Sequence, residues 1–184
     1  MASPPRLPIV LGISGASAQP LALRALQLLL EAGETVDLVV SRGAILVWMA
    51  ELGIKVPADP EAQHQFWREQ TGTQAGTLRC HRWSDQAAAI ASGSHRTAGM
   101  VILPCSMGAV GRMASGVATD LLERAADVHL KEGRPLVICP RELPWTWCTC
   151  ATSPPWRRPG RASLRPCPPG TTGPPASTRW WTFW

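Results

Sequence analysis

The chain has 184 residues, with 18 Lys and Arg against 13 Asp and Glu and a formal net charge of +5. Such a length fits one domain with enough material for a real core. The excess charge sits in residues 145–184, where Arg157, Arg158, Arg161, Arg165 and Arg179 stand without a single acid, so the preceding body is neutral and lacks the clustered basic face of a nucleic-acid binder.

Pro8-Ile-Val-Leu-Gly-Ile13 is a short apolar run, the pattern of a buried parallel strand. A small-residue turn, Ser14-Gly-Ala-Ser-Ala18, follows it. Pro20 opens a helix through Ala32, with Leu at 21, 23, 26, 28, 29 and 30 and Gly33 as its stop. Thr35–Val40 reads as a second strand ending at Ser41, and Arg42–Leu52 as helix. Residues 53–82 are polar and less periodic, a loop region with one short helix. Asp85–Ala91 is a brief helix ending at Ser92-Gly-Ser94. Gly99–Leu103 is another buried strand, stopped by Pro104. Helices follow over Met107–Ser115 and Asp120–Leu130, and Arg134–Cys139 is a last strand. Alternating strands and helices imply βαβ crossovers: an α/β fold, three layers around a parallel sheet.

In such sheets ligands bind beyond the carboxyl ends of the strands. The small polar turns Ser14–Ser17, Ser41 and Cys105-Ser106 all fall at such ends. Gly15, Ala16 and Ser17 lead into a helix whose first N–H groups can hold an anion, although a tight turn with no ligand has the same composition. Ser41 can donate to a phosphate or cap the next helix. Cys105 has no adjacent base and is a poor nucleophile. On the Asp120–Leu130 helix and just past it, Arg124 and Lys131 share a face, with Asp127 and Lys131 an i,i+4 pair. Arg141-Glu142 follows the last strand at its ligand-docking edge. The six Cys are scattered and the four His show no metal spacing, so the expectation is a reduced, cytoplasmic protein without a metal. The first residues lack a signal-peptide core, and no apolar run reaches membrane-spanning length.

Six stretches in this order resemble the flavin prenyltransferases of the UbiX/Pad type, a flavodoxin-like flavoprotein group. They are GISGAS at 12–17, VVSR at 39–42, IASGS at 90–94, GMVILPCSMG at 99–108, LLERAADVHLKE at 121–132 and RPLVICPRELP at 134–144. The resemblance implies a Rossmann/flavodoxin-like domain over residues 1–144 that binds FMN and transfers the dimethylallyl group of dimethylallyl monophosphate to it. The prenyl-FMN then serves a partner UbiD-type decarboxylase. It further implies a homo-oligomer with sites at subunit interfaces, no metal, and no nucleic-acid or membrane partner. By position, Gly15, Ala16, Ser17, Ser41, Ser106, Met107, Gly108, Ala109 and Arg141 are the implied FMN contacts. Ser17, Glu51, Lys131, Arg141 and Glu142 are the implied catalytic and prenyl-phosphate group. The chain departs from the family pattern at Ala18, Leu21, Ala22, Ala109 and Gly133, and Gln86 stands where some members carry an active-site Trp. Two alternatives are a phosphopantothenoylcysteine decarboxylase, disfavoured because the chain has no Asn, and a non-catalytic or damaged FMN-binding accessory subunit of an aromatic acid decarboxylase.

The resemblance stops at Pro144. Residues 145–184 have no Asp, Glu, Lys, Val, Ile or Met, yet hold six of the nine Trp and eight of the eighteen Pro. A one-base shift accounts for this. Taking the third base of each codon with the first two of the next, PWTWCTC permits CTG GAC CTG GTG CAC CTG, or Leu-Asp-Leu-Val-His-Leu, the segment the family carries there. The tail is therefore read as frameshifted, irregular and disordered, without the Tyr and late Arg that the family places at the dimethylallyl phosphate.

Overall fold

The computed structural model describes residues 6–141. Glu142 and the tail at 145–184, including its expected disorder, lie outside the described residues, as does the proposed boundary at Pro144.

Five strands form one parallel sheet: β1 (Ile9–Ile13), β2 (Thr35–Val40), β3 (Thr77–His81), β4 (Gly99–Cys105) and β5 (Leu136–Pro140), in the order β3-β2-β1-β4-β5. The helices are α1 (Gln19–Glu31), α2 (Arg42–Leu52), α3 (Pro60–Thr71), α4 (Met107–Ala114) and α5 (Leu121–Lys131). Chain direction across the sheet reverses between β1 and β4, the position where doubly wound folds open a crevice for ligands.

Alternation along each strand divides the core. Leu11, Ile13, Val36, Leu38 and Val40 pack with α1, α2 and α3, where Leu26, Leu30, Trp48 and Trp67 are fully or almost fully buried. Val10, Val39, Met100 and Ile102 face α4 and α5 and meet Ala109, Leu121, Leu122 and Ala125. Both faces are covered, which is why β1 and β4 read as apolar runs and β2 as one interrupted by Asp37.

Most of the expected elements are present, and three differ. The stretch 53–82 holds a full twelve-residue helix, α3, and a strand, β3. β3 is the sheet edge, pairing only with β2, and its exposed Thr77 and Arg79 hide the hydrophobic signal. Asp85–Ala91 is mostly turn, with a single 3₁₀ turn at Ala89–Ala91. β4 does not stop at Pro104 but continues to Cys105, because its ladder with β5 shifts register between Ile102 and Cys105 and asks no N–H of the proline.

Candidate functional site

The strand exits converge. Ser14 N–H donates to the Pro104 carbonyl at 3.1 Å, and Ser41 N–H to the Ile13 carbonyl at 2.9 Å. Ser106 N–H donates to the Ser14 hydroxyl at 2.7 Å, and Arg141 N–H to the Cys105 carbonyl at 3.0 Å. Four exits, those of β2, β1, β4 and β5, are thus joined side by side past the end of the sheet.

Above them lies an open cavity of about 280 Å³, lined by Ser14, Gly15, Ser41, Arg42, Gly43, Trp83, Ser106, Ala109, Arg112, Thr119, Asp120, Leu122 and Glu123. Four of the residues implied by the resemblance, Gly15, Ser41, Ser106 and Ala109, are brought together here. Ser41 and Ser106 cap α2 and α4 by accepting from Ala44 N–H and Ala109 N–H. Capping uses an oxygen lone pair and leaves each O–H proton free to donate, so the observed cap does not exclude a phosphate donor at Ser41. Gly15 is needed for packing as well: a Cβ there would lie 2.8 Å from the Gly43 carbonyl carbon. Ala16 is buried beneath the turn, and Met107 and Gly108 open α4 with Met107 against the core.

Beside the cavity, on the same β1–α1 turn, Ser17 donates to Glu51 Oε1 at 2.6 Å across 34 residues of sequence, and both side chains are exposed. The turn before them is braced by Gln19, whose amide donates to the Ser14 and Ala16 carbonyls. Ala18 closes it at φ +80°, a left-handed conformation that costs an L-residue about 1–2 kcal/mol. A glycine suits that position, so the departure at Ala18 carries a local strain.

Lys131 is elsewhere. It ends α5, about 16 Å of helix away from the cavity-lining Asp120 that caps the start. There it pairs with Asp127 at 2.9 Å, and Arg124 pairs with the same carboxylate oxygen at 2.9 Å. Arg141 is exposed at the exit of β5, on the edge where the sequence places it. Burial pushes the Cys105 thiol up to about 12, which confirms it as a poor nucleophile.

Several cavity residues are not legible in the sequence. Glu123 is buried and accepts from Arg112 Nε at 2.6 Å, from Thr119 N–H at 2.8 Å and from the Thr119 hydroxyl at 2.7 Å. Asp120 accepts from Glu123 N–H. Burial pushes the Asp120 carboxyl above its ordinary value, opposed by that N–H and reinforced by the Glu123 charge. Trp83 is half-buried on the cavity wall, whereas Gln86, three residues on, is exposed and lines nothing there. An aspartate in N-cap position, Asp120, opening a helix beside the strand exits is the sequence signal that could have pointed to them.

The donor set suits a flavin nucleotide: serine hydroxyls, two arginines and the starts of α2 and α4 for an anionic, hydroxyl-rich chain, and an indole for a planar ring.

Comparison with known proteins agrees. A family model described as Flavoprotein matches residues 2–149. The flavin prenyltransferase UbiX of Synechocystis sp. is 56% identical over 138 residues, covering 74% of this chain and 67% of that protein. The flavin prenyltransferase UbiX of Pseudomonas aeruginosa is 42% identical over 146 residues, covering 79% and 69%. The match thus spans about two thirds of these relatives' length. Among solved structures, AnUbiX (PadA1) in complex with FMN and dimethylallyl pyrophosphate superposes with a TM-score of 0.67 at 32% identity, over 80% of this chain and 71% of that one. A dodecameric FMN-dependent Ubix-like decarboxylase from Escherichia coli O157:H7 gives 0.66 at 35%, over 79% and 73%. With most of its length matched and its fold shared, the chain belongs to the flavoprotein family, among the UbiX flavin prenyltransferases.

Proposed function

We propose that this protein binds FMN in the cavity at the β1–β4 switch point and transfers a dimethylallyl group from dimethylallyl monophosphate to it, supplying prenyl-FMN to a UbiD-type decarboxylase. The observation that carries this reading is the 2.6 Å hydrogen bond from Ser17, on the turn whose Gly15 lines the cavity, to Glu51 near the end of α2, an arrangement suited to proton transfer. Bound in its reduced form, FMN would supply the electron-rich ring that accepts the allylic carbon.

The chain's own residues do the rest. Gly15, Ala16 and the hydroxyls of Ser41 and Ser106 hold the flavin nucleotide, with Met107, Gly108 and Ala109 at the start of α4 and Arg141 at the exit of β5. Glu51 holds Ser17 in one rotamer and would accept its proton as the hydroxyl oxygen takes one from the ring edge, leaving the proton on the carboxyl. Breaking the allylic C–O bond leaves charge on the departing phosphate, which Arg141, Lys131 and Glu142, as cations and proton donor, stabilise. The placement of Lys131 at the far end of α5 fits a homo-oligomer in which it serves a neighbouring copy's site. The E. coli neighbour is dodecameric.

The protein is cytoplasmic in this reading. Among the described residues its cysteines are free thiols, and no helix is long and apolar enough to cross a membrane. Residues 1–144 are its flavin domain, and residues 145–184 are an out-of-frame product. The end of the family match at residue 149, just past Pro144, supports that division. Sequencing the gene across the Pro144 codon tests it: an intact frame encoding the tail as written overturns the frameshift.

The function is tested by incubating the protein with reduced FMN and dimethylallyl monophosphate and weighing the flavin by mass spectrometry. The expected result is a prenylated adduct. FMN binding with no adduct would favour a non-catalytic accessory role.

A further inference from the structure

One ionic cluster lies outside the groups used so far. Asp37, in the middle of β2, is 1% exposed, yet carries a carboxylate on the face toward α5. Its Oδ1 accepts from Arg79 Nε at 2.8 Å and meets His81 Nε2 at 3.0 Å. Its Oδ2 accepts from Arg79 Nη2 at 3.0 Å and meets His95 Nε2 at 3.1 Å. A carboxylate only accepts, so both imidazoles carry their proton on Nε2. Burial pushes the Asp37 carboxyl up, but the two histidines and Arg79 outweigh it and hold the group below its ordinary value.

The placement of the partners is informative. His81 is the last residue of β3, and His95 stands fourteen residues later, shortly before β4. A single carboxylate therefore fastens both flanks of residues 82–94. Two further ties act on the same segment. Arg134 donates to the carbonyls of His95, at 2.7 Å, and Gly93. Leu121 N–H, in the first turn of α5, donates to the Trp83 carbonyl at 2.8 Å. Trp83, two residues after His81, is the segment's residue on the cavity wall.

A buried ion cluster is an expensive way to stabilise a sheet edge, since apolar side chains of similar volume often do as well. What it adds is geometry: a bidentate guanidinium and two directed imidazoles admit one arrangement of the chain between them. We propose that Asp37 is a positioning residue: through His81 and His95 it fixes both flanks of residues 82–94 and so holds the Trp83 indole where it walls one side of the planar ring bound in the cavity. This rests on the flavin reading of that cavity.

The test uses the full chain and FMN alone, with no turnover. Binding is followed by flavin fluorescence, which a stacked indole quenches. W83A should weaken FMN binding roughly five- to ten-fold and brighten the bound flavin. D37N should give a smaller loss, roughly three-fold, with partial brightening and an unchanged far-UV spectrum. In the W83A background D37N should add nothing further, because Asp37 acts through the indole. Should D37N fold poorly, H81Q and H95Q carry the same comparison. Additive losses, or quenching and affinity in D37N, H81Q and H95Q equal to the unaltered chain, overturn the positioning role. So does a W83A protein that binds FMN and quenches it as the unaltered chain does, an outcome that leaves the flavin reading standing. A folded, unaltered chain that binds no FMN instead overturns the flavin reading, and the positioning role with it.

Discussion

The two faces of the sheet are built on different terms. Toward α1, α2 and α3 the buried side chains are mostly aliphatic and aromatic, with Trp48, Phe66 and Trp67 meeting edge to face at centroid separations of 4.8–6.4 Å. Toward α4 and α5 the apolar layer is interrupted by Asp37, Glu123 and His129, each buried and each hydrogen-bonded. The polar groups buried on the first face, Gln19, Gln63 and Thr71, are uncharged, and each bonds to a backbone carbonyl within six residues of itself. The second spends desolvation energy on directed bonds, and two of its three polar centres act on walls of the cavity. One side of the molecule supplies stability, and the other orients the site.

That division can be broken in order of effect. Trp48→Ala should cost about 3–5 kcal/mol of unfolding free energy, read by urea denaturation, while FMN affinity in the folded fraction stays the same. Glu123→Ala should cost about 2–3 kcal/mol, because Arg112 and the Thr119 hydroxyl lose their acceptor; Arg112 is partly exposed, which keeps the loss below that of a fully buried pair. Unlike the first change, it should also weaken FMN binding, since Arg112 is freed to leave the cavity wall. If both variants leave FMN affinity untouched, the two faces do not differ in the way described.

The pH dependence sharpens the same contrast. His129 Nδ1–H donates to the Ala125 carbonyl at 2.7 Å, and its Nε2 accepts from Thr97 at 2.8 Å, so the buried ring is neutral. Burial lowers its pKa below the ordinary 6.5, opposed by the Ala125 carbonyl and aided by the Arg134 charge. The folded state therefore binds this proton less readily than the unfolded state. Its stability contribution is complete above pH 6.5 and is lost as pH falls through the lowered folded value, by at most about 1.4 kcal/mol per pH unit. His129→Gln should flatten that part of a urea-midpoint profile between pH 7 and 5; an unchanged slope would contradict it. The smallest effects fall on two positions outside the buried core. Ala18→Gly should gain about 1 kcal/mol by relieving the left-handed strain, partly offset by unfolded-chain entropy. Lys131→Ala should cost no more than about 0.5 kcal/mol of stability. Loss of adduct formation in that variant would then be a defect of the site and not of the fold.

Strands β1, β2 and β4 were legible because a strand covered on both sides is a mostly apolar run. β3 was not, since this edge strand keeps exposed polar residues at Thr77 and Arg79, whereas β5 at the other edge is an apolar run. The serines at the strand exits could be placed on the docking edge from sequence. Which of them share a cavity could not, because that depends on sheet order. Asp37 passed for an ordinary member of an apolar strand: its partners stand 42 to 58 residues away, and no spacing rule joins them. The Arg112–Glu123 pair bridges two helices across a turn and left no periodic trace. Ser17 and Glu51 came from family resemblance, and the fold supplies their contact. Lys131 came the same way, and within one chain the fold sets it apart.

The hydrogen bonds that join Ser41, Ser14, Ser106 and Arg141 across the strand exits have a consequence for amide exchange. Each of these N–H groups is held by a neighbouring exit, three of them by backbone carbonyls at the end of the adjacent strand and that of Ser106 by the Ser14 hydroxyl. None can be released by its own loop fraying independently. Their hydrogens should exchange with deuterium through the same opening event as the ends of β1 and β4, slowly and together, although they lie in what are formally loops. The floor of the cavity therefore behaves as part of the sheet.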